Sequence, residues 1–234
     1  MAIGSQAPRA VLIIPALDEE PAIGPTLDQV PRDLFREILV ADNGSRDRTA
    51  EVARSHGARV VLEPQRGYGA ACLRAIAEVA EGTEAIVFMD ADGSDDPAEA
   101  ALLIEPIYTG RADLVIGSRT LGRSETGSLQ PHQILGNRVA TGLIRLLYGH
   151  RYTDLGPFRA IRAESLRALV MRDRNYGWTI EMQIKALRHG LRVVEVPVSY
   201  RRRVGVSKIS GNLGASVAAG TKILWTLFRL ALSR

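Results

Sequence analysis

Ala85-Ile-Val-Phe-Met89 runs straight into Asp90-Ala-Asp-Gly-Ser-Asp-Asp-Pro97, and the fold is read from this stretch. The first five residues are apolar at every position, as a strand buried on both faces requires. The turn that follows carries four carboxylates within seven residues. In open parallel sheets, ligands bind beyond the carboxyl ends of the strands. Carboxylates this close repel one another unless a cation neutralises them, and hard oxygen ligands suit Mg²⁺ or Mn²⁺. Asp95 or Asp96 also reads as the cap of a helix starting at Pro97, but that reading leaves Asp90 and Asp92 unexplained.

The same rhythm extends to either side. Ala10–Ile14, Ile38–Ala41, Arg59–Leu62 and Asp113–Ile116 are further short apolar runs, and helical patterns fall near 19–29, 47–56, 68–81 and 97–108. Buried strands separated by helices predict a mostly parallel α/β sheet covered on both sides. Asp47 reads as the cap of the second helix. Residues 118–131 break the rhythm with Gly, Ser, Thr and Arg, and predict a functional loop. A helix follows near 133–148, with Ile134, Val139, Leu143, Leu146 and Leu147 on one face. Tyr152–Ile161 reads as extended or loop, then helices come near 163–170 and 178–189 and a strand over 191–200. The tail, 212–232, reads as an amphipathic helix with Leu213, Val217, Leu224, Leu227, Phe228 and Ala231 on one face. Its partner is either a membrane surface, at the level of the headgroups, or protein: the rest of the chain or a second copy in a homodimer.

At 234 residues, 46% hydrophobic and 24% charged, the chain buries a core without disulfides. The single cysteine, Cys72, fits a reducing compartment, and no leader or membrane-spanning run is visible, so a cytoplasmic location is expected, peripheral at the cytoplasmic membrane face if the tail touches lipid. Aromatics at 5% argue against a stacking platform for nucleic acid. Charge is split: residues 1–117 carry 10 Lys and Arg against 20 Asp and Glu, and residues 118–234 carry 20 against 6. An acidic half can hold a cation, and a basic half an anion.

Two more polar turns follow strands on the same sheet edge: Pro15-Ala-Leu-Asp-Glu-Glu20 and Asp42-Asn-Gly-Ser-Arg-Asp47. Asp18, Glu20 and Asp47 read first as helix-terminal carboxylates, and Asp42 as a ligand contact. Arg66-Gly-Tyr-Gly-Ala70 places two glycines at a helix start, where backbone N–H groups can face a phosphate. No glycine-rich dinucleotide loop follows the first strand, which counts against a dinucleotide-binding oxidoreductase.

Taken in order, Ile14–Glu19, Ala41–Thr49, Arg66–Gly69 and Asp90–Asp92 resemble the inverting glycosyltransferases of family two, with the GT-A fold. Ile116–Arg119, Asp154–Arg159, Glu195–Tyr200 and Gly205–Lys208 are similar to the polyprenyl-phosphate mannosyl- and glucosyltransferase branch. The resemblance implies one catalytic domain over 1–211, with a nucleotide-sugar and metal half (1–117) and an acceptor half (118–211), followed by the tail helix. It implies that Pro15, Leu17, Glu19, Asp42, Arg66, Gly67, Asp90, Ala91 and Asp92 border the nucleotide-sugar, and that Asp90 and Asp92 hold Mg²⁺ or Mn²⁺, with Ser94 or Asp95 completing the shell. Arg119, Arg138, Arg202, Ser207 and Lys208 would hold the acceptor phosphate. The chain departs from the branch at Asn43, where a second acid is common, and at Gly93-Ser94-Asp95, where Leu-Gln-His is common.

The expected reaction is transfer of a hexose from a GDP-mannose or UDP-glucose type donor to a polyprenyl phosphate. Such an acceptor is already an anion and needs no base; a positioned metal, Asp92, Arg119 and Lys208 would carry catalysis by orientation and electrostatics. A hydroxyl acceptor would need a base, for which Glu181 is a candidate, against its reading as a helix carboxylate paired with Lys185. Arg159 is expected to pair with Asp154. His132, His150 and His189 lack metal-ligand spacing. The alternatives are a soluble phosphorylated or hydroxyl acceptor, a sugar-nucleotide pyrophosphorylase, and a basic nucleic-acid-binding protein, which the Asp90–Asp96 cluster would repel.

Overall fold

The computed structural model describes residues 9–205 and 213–232. One seven-stranded sheet runs through both halves of the chain in the order β3-β2-β1-β4-β6-β5-β7. The strands are β1 (Ala10–Ala16), β2 (Phe35–Asp42), β3 (Arg59–Leu62), β4 (Ala85–Phe88), β5 (Leu114–Ser118), β6 (Arg159–Arg162) and β7 (Val193–Pro197). The helices are α1 (Glu20–Asp28), α2 (Thr49–Ser55), α3 (Tyr68–Ile76), α4 (Ala100–Tyr108), α5 (Pro131–Tyr148), α6 (Ala163–Leu169), α7 (Trp178–Arg188) and α8 (Leu213–Leu232).

Every β1 residue is buried, and side-chain alternation feeds two cores. Val11 and Ile13 face a core shared with Phe88, Cys72, Trp178 and Ile184 on the α3 and α7 side. Leu12 and Ile14 face the other, with Ile23, Leu27, Leu103 and Ile107 of α1 and α4. Phe88 and Trp178 meet edge to face with centroids 5.9 Å apart.

The chain winds outward from β1 through β2 to β3, then returns to place β4 on the other side of β1. That reversal leaves a crevice at the carboxyl ends of β1 and β4, where the Pro15–Glu20 and Asp90–Asp96 turns emerge. The mostly parallel expectation holds with one change. Arg159–Arg162, at the end of the stretch expected as extended or loop and one residue beyond it, becomes β6 and inserts antiparallel between β4 and β5.

Helix boundaries follow local chemistry. Pro131 opens α5 rather than closing the preceding loop, because proline fits a first helical turn, and Gln130 and Gln133 form the capping box. The face of α5 differs from expectation. Ala140 and Ile144 are buried, whereas Leu135, Val139, Leu146 and Leu147 are exposed. On α8, Leu227 and Leu230 are buried and Phe228 is exposed, rotating the packed stripe away from the expected one. Leu213 and Val217 lie among side chains outside the described set.

Candidate active site

The Pro15–Glu20 and Asp42–Asp47 turns brace one another. The Arg46 N–H donates to Asp18 Oδ1 at 2.7 Å, the Arg48 N–H to Glu20 Oε2 at 3.0 Å, and the Glu20 N–H to Asp47 Oδ2 at 3.2 Å. Asp47 also accepts from the Thr49 N–H at 3.0 Å, at the start of α2. Asp18, Glu20 and Asp47 are therefore structural carboxylates. Asp42 is buried, accepts from the Ser45 N–H at 3.2 Å and lines neither of the two cavities described below. Its neighbour Asn43 lines the smaller of the two, where Asp42 was expected. The Asn43 amide donates to the Glu63 and Gln65 carbonyls and accepts from the Gly67 N–H at 2.8 Å, fixing the Arg66–Gly69 turn.

The two glycines of that turn serve close packing more than anion binding. Gly67 has φ +144, and a Cβ there would sit 2.0 Å from the Arg174 carbonyl oxygen; at Gly69 it would sit 2.0 Å from that of Asp173. The Ala70 N–H, expected to be open, donates to the Arg174 carbonyl at 2.9 Å. The approach brings Asn175 and Tyr176 over the site.

At the end of β4, Asp92 Oδ1 accepts from the Ser94 N–H at 2.9 Å and the Ser94 hydroxyl at 2.5 Å. Its Oδ2 pairs with Arg203 Nη1 at 3.2 Å. Asp95 lies behind and accepts from the Asp90 N–H at 3.2 Å. Asp96 caps the turn at Pro97 through the Ala98 N–H at 3.1 Å, so the capping alternative belongs to Asp96. Ser94 and Asp95, expected to complete a metal shell, line neither cavity: the Ser94 hydroxyl orients Asp92 and the Asp95 carboxylate supports Asp90. Burial and the Asp92 charge push the Asp90 carboxyl up to about 7, against the pull of Tyr68, Arg119 and Arg203. Burial and the charges of Asp90 and Asp92 raise Asp95 well above the carboxylate range.

Asp90 Oδ1 and Asp95 Oδ1 are buried and accept no hydrogen bond from the described residues. Buried, unpaired carboxylate oxygens suit a hard cation. Among the described residues no three acidic, His or Cys side chains gather into a cage. An ion held here by Asp90 and Asp92 would complete its shell with water and phosphate oxygens, as Mg²⁺ commonly does.

Two cavities meet at this point. One, about 310 Å³, is bordered by Pro15, Leu17, Glu19, Asn43, Arg66 and Gly67; Ala91 also lines it. The other, about 560 Å³, runs between α5 and α8 past Leu135, Val139, Leu155, Trp178, Ile223 and Leu224. Tyr68, Asp90, Asp92, Tyr176 and Arg203 line both. Arg119 lines the second. Its Nε and Nη2 donate to the two Asp154 carboxylate oxygens, each at 2.8 Å, and its guanidinium lies 5.0 Å from the Tyr200 ring centroid. Burial opposes the charge, but Asp154 overrides it and holds the guanidinium above its usual range.

The remaining expected residues fall elsewhere. Arg138 is exposed on α5 and lines neither cavity. Arg202 is turned into the 119–130 loop, where Nε and Nη2 donate to the Thr126 carbonyl at 2.8 and 2.6 Å. Ser207 and Lys208 lie outside the described residues. Glu181 is buried beneath the site: its carboxylate accepts from the Arg172 and Asp173 N–H groups and pairs with Lys185 at 2.8 Å. It lines neither cavity, so the geometry favours the Lys185 pairing over the base. Arg159 does not pair with Asp154, which Arg119 has taken; it donates to the Leu155, Gly156 and Thr179 carbonyls. Sequence reasoning missed Arg203, Asn43, Tyr68 and Tyr176. Arg203 was hidden in a run of three arginines, and the only available signal was its place after β7, on the edge where the Asp90 turn emerges.

Residues 11–170 match the glycosyl transferase family 2 domain. The chain belongs to that family, and the protein is a glycosyltransferase with a GT-A-like fold. It is 37% identical over 210 residues to an uncharacterized glycosyltransferase of Mycobacterium tuberculosis, covering 89% of this chain and 93% of that one. It is 32% identical to the undecaprenyl-phosphate mannosyltransferase of Micrococcus luteus, covering 88% and 89%. Glucosyl-3-phosphoglycerate synthase of M. tuberculosis has a similar fold, with a TM-score of 0.76 at 23% identity over 96% of this chain and 80% of that one.

Proposed function

We propose that the protein transfers a hexose, with inversion, from a nucleotide-diphosphate sugar of GDP-mannose or UDP-glucose type to a polyprenyl phosphate. The observation that carries this reading is the meeting of two cavities at Asp90 and Asp92, one that adds Glu19 and Arg66 to the charged groups it shares and one walled by apolar side chains of α5 and α8 with Arg119 in its lining. A phosphate on an apolar tail matches that second chamber. The names of the Micrococcus luteus mannosyltransferase and of the 31% identical polyprenol monophosphomannose synthase of Mycolicibacterium smegmatis support the acceptor class.

In this reading Pro15, Leu17, Glu19, Asn43, Arg66, Gly67 and Ala91 wall the nucleotide, and Asp90 and Asp92 hold Mg²⁺ or Mn²⁺. A divalent ion, when bound, offsets charge that develops on the departing diphosphate. Tyr68 and Tyr176 close the junction of the two chambers against water. Arg119, kept straight by Asp154, aims the acceptor phosphate at the anomeric carbon. A phosphate monoester is an oxyanion nucleophile already, so no side chain need take a proton, in keeping with Glu181 lying outside both cavities.

The outer faces of α5 and α8 expose Leu146, Trp225, Phe228 and Leu232. Among the described residues no helix is long and apolar enough to cross a membrane. We read these faces as the surface that meets the lipid carrying the acceptor, with Arg138, Arg145 and Arg229 near anionic headgroups.

The test is a transfer assay with labelled GDP-mannose and UDP-glucose against polyprenyl phosphate and 3-phosphoglycerate, each with Mg²⁺ or Mn²⁺. Label passing into the organic phase supports the reading. Label passing only to the soluble phosphate would assign a soluble acceptor, and no transfer from either donor would reject the donor class.

A further inference from the structure

Arg203 bridges two carboxylates that border the first cavity, those of Glu19 and Asp92. Its Nη1 lies 3.2 Å from Asp92 Oδ2 and its Nη2 3.1 Å from Glu19 Oε1. Its Nε is buried and has no acceptor among the described residues. Asp92 Oδ1 is already engaged by Ser94, so Oδ2 is the oxygen Asp92 can offer a metal, and the guanidinium sits on it.

The backbone beneath this side chain is fixed. The Arg201 N–H donates to the Ser94 carbonyl at 2.8 Å and the Val204 N–H to the Asp92 carbonyl at 2.9 Å. Residues 201–204 are thus tied to the turn that carries Asp92. Arg203 can leave Asp92 by side-chain rotation alone, and because it lines both cavities it needs no loop movement to reach either.

We infer that Arg203 is an internal counter-cation that competes with the divalent ion for Asp92 and is handed to the donor diphosphate when ion and nucleotide bind together. This rests on the proposed nucleotide and metal site. A guanidinium and a divalent ion a few ångströms apart repel strongly in a partly buried site, so both cannot sit on Oδ2. A diphosphate resolves the conflict by supplying oxygens for the ion and for the guanidinium fork, including the unpaired Nε. The ion alone therefore has to displace a salt bridge, whereas the ion with nucleotide exchanges one partner of Arg203 for another. Ion and nucleotide bind cooperatively as a result.

The experiment measures Mn²⁺ binding by electron spin resonance, and UDP and GDP binding by calorimetry, on the full chain and on Arg203→Gln. For the variant, Mn²⁺ alone is expected to bind about fivefold tighter or more, and the nucleotide at saturating Mn²⁺ about tenfold weaker, within the usual span of coupling between sites. These shifts have opposite signs, which general damage to the site would not produce. Unchanged or weaker Mn²⁺ binding by the variant overturns the inference, as does unchanged nucleotide binding. If the parent chain binds neither ligand, the proposed function itself fails, a separate outcome. Arg203→Met also removes the charge, and it carries the same comparison should the Gln variant not fold.

Discussion

Arg119 and Asp154 are held as a fork on a fork, two parallel contacts of 2.8 Å each, with the Arg119 N–H donating to the same carboxylate at 2.9 Å. The pair joins the end of β5 to the segment before β6 and sets the guanidinium on the wall of the apolar cavity. Removing one partner leaves a desolvated charge. Asp154→Ala is expected to cost about 3–5 kcal/mol, the usual penalty for breaking a buried pair. Urea unfolding measures it; a loss below about 1 kcal/mol, typical of an exposed pair, would contradict the burial argument.

Glu181→Gln separates a structural carboxylate from a general base. The variant loses the Lys185 pair and weakens two amide contacts, so stability should fall by about 1–3 kcal/mol. Turnover with a phosphate acceptor should stay within about tenfold of the parent chain, less than the 10²–10⁴-fold a lost base costs. A collapse of kcat with an unchanged melting temperature would restore Glu181 as the base.

The Asp90 carboxyl, raised to about 7, makes stability depend on pH. The folded chain keeps a proton there that the unfolded chain loses above about pH 4, so this contribution is greatest in acid and declines as pH climbs through 7. A divalent ion favours the ionised carboxylate and should bind more tightly as pH rises through the same range. Melting curves at pH 5.5 and 8 should show a larger Mn²⁺ stabilisation at pH 8. Equal gains at both would show that the ion does not use Asp90.

At Gly67 a methyl group meets the Arg174 carbonyl, and φ +144 is strained for any other residue. Gly67→Ala should lose about 1–3 kcal/mol as an overpacked contact and weaken nucleotide binding, because Asn175 and Tyr176 are pushed off the donor cavity. Full nucleotide affinity would mean that these two side chains do not touch the donor.

Deleting α8 is a poor test of lipid contact, because Leu227 and Leu230 are buried and Lys222 pairs with Asp173 at 3.1 Å. Trp225→Ser with Phe228→Ser changes exposed positions only. The double variant should melt within a few degrees of the parent, yet float less with anionic vesicles at low salt. Undiminished flotation would remove the outer face of α8 from the membrane reading.

Much of this molecule was legible in its residues. Buried strands announce themselves when every position is apolar, as in Ala10–Ile14, and the Asp90 and Asp92 carboxylates mark a strand end whatever surrounds them. β6 was harder to see: Arg159–Arg162 begins and ends in arginine, and only burial of Arg159 against backbone carbonyls makes it a central strand. The partner of Asp154 could not be read either, since Arg119 and Arg159 flank it at 35 and 5 residues and only the chain path decides between them. Arg202 and Arg203 are adjacent, yet one enters the loop and the other the site, because successive residues of an extended segment point to opposite sides.

Tyr68, Asp90, Asp92, Tyr176 and Arg203 form a party wall between two rooms. Any change in those five is felt by both occupants at once. Under the proposed function, selectivity for base or sugar is therefore free to drift only at the far end of the first room, around Leu17, Asn43 and Arg66, and selectivity for the acceptor only along Leu135, Val139 and Leu224 in the second. Relatives that differ in what they carry are expected to differ there and to keep the partition intact.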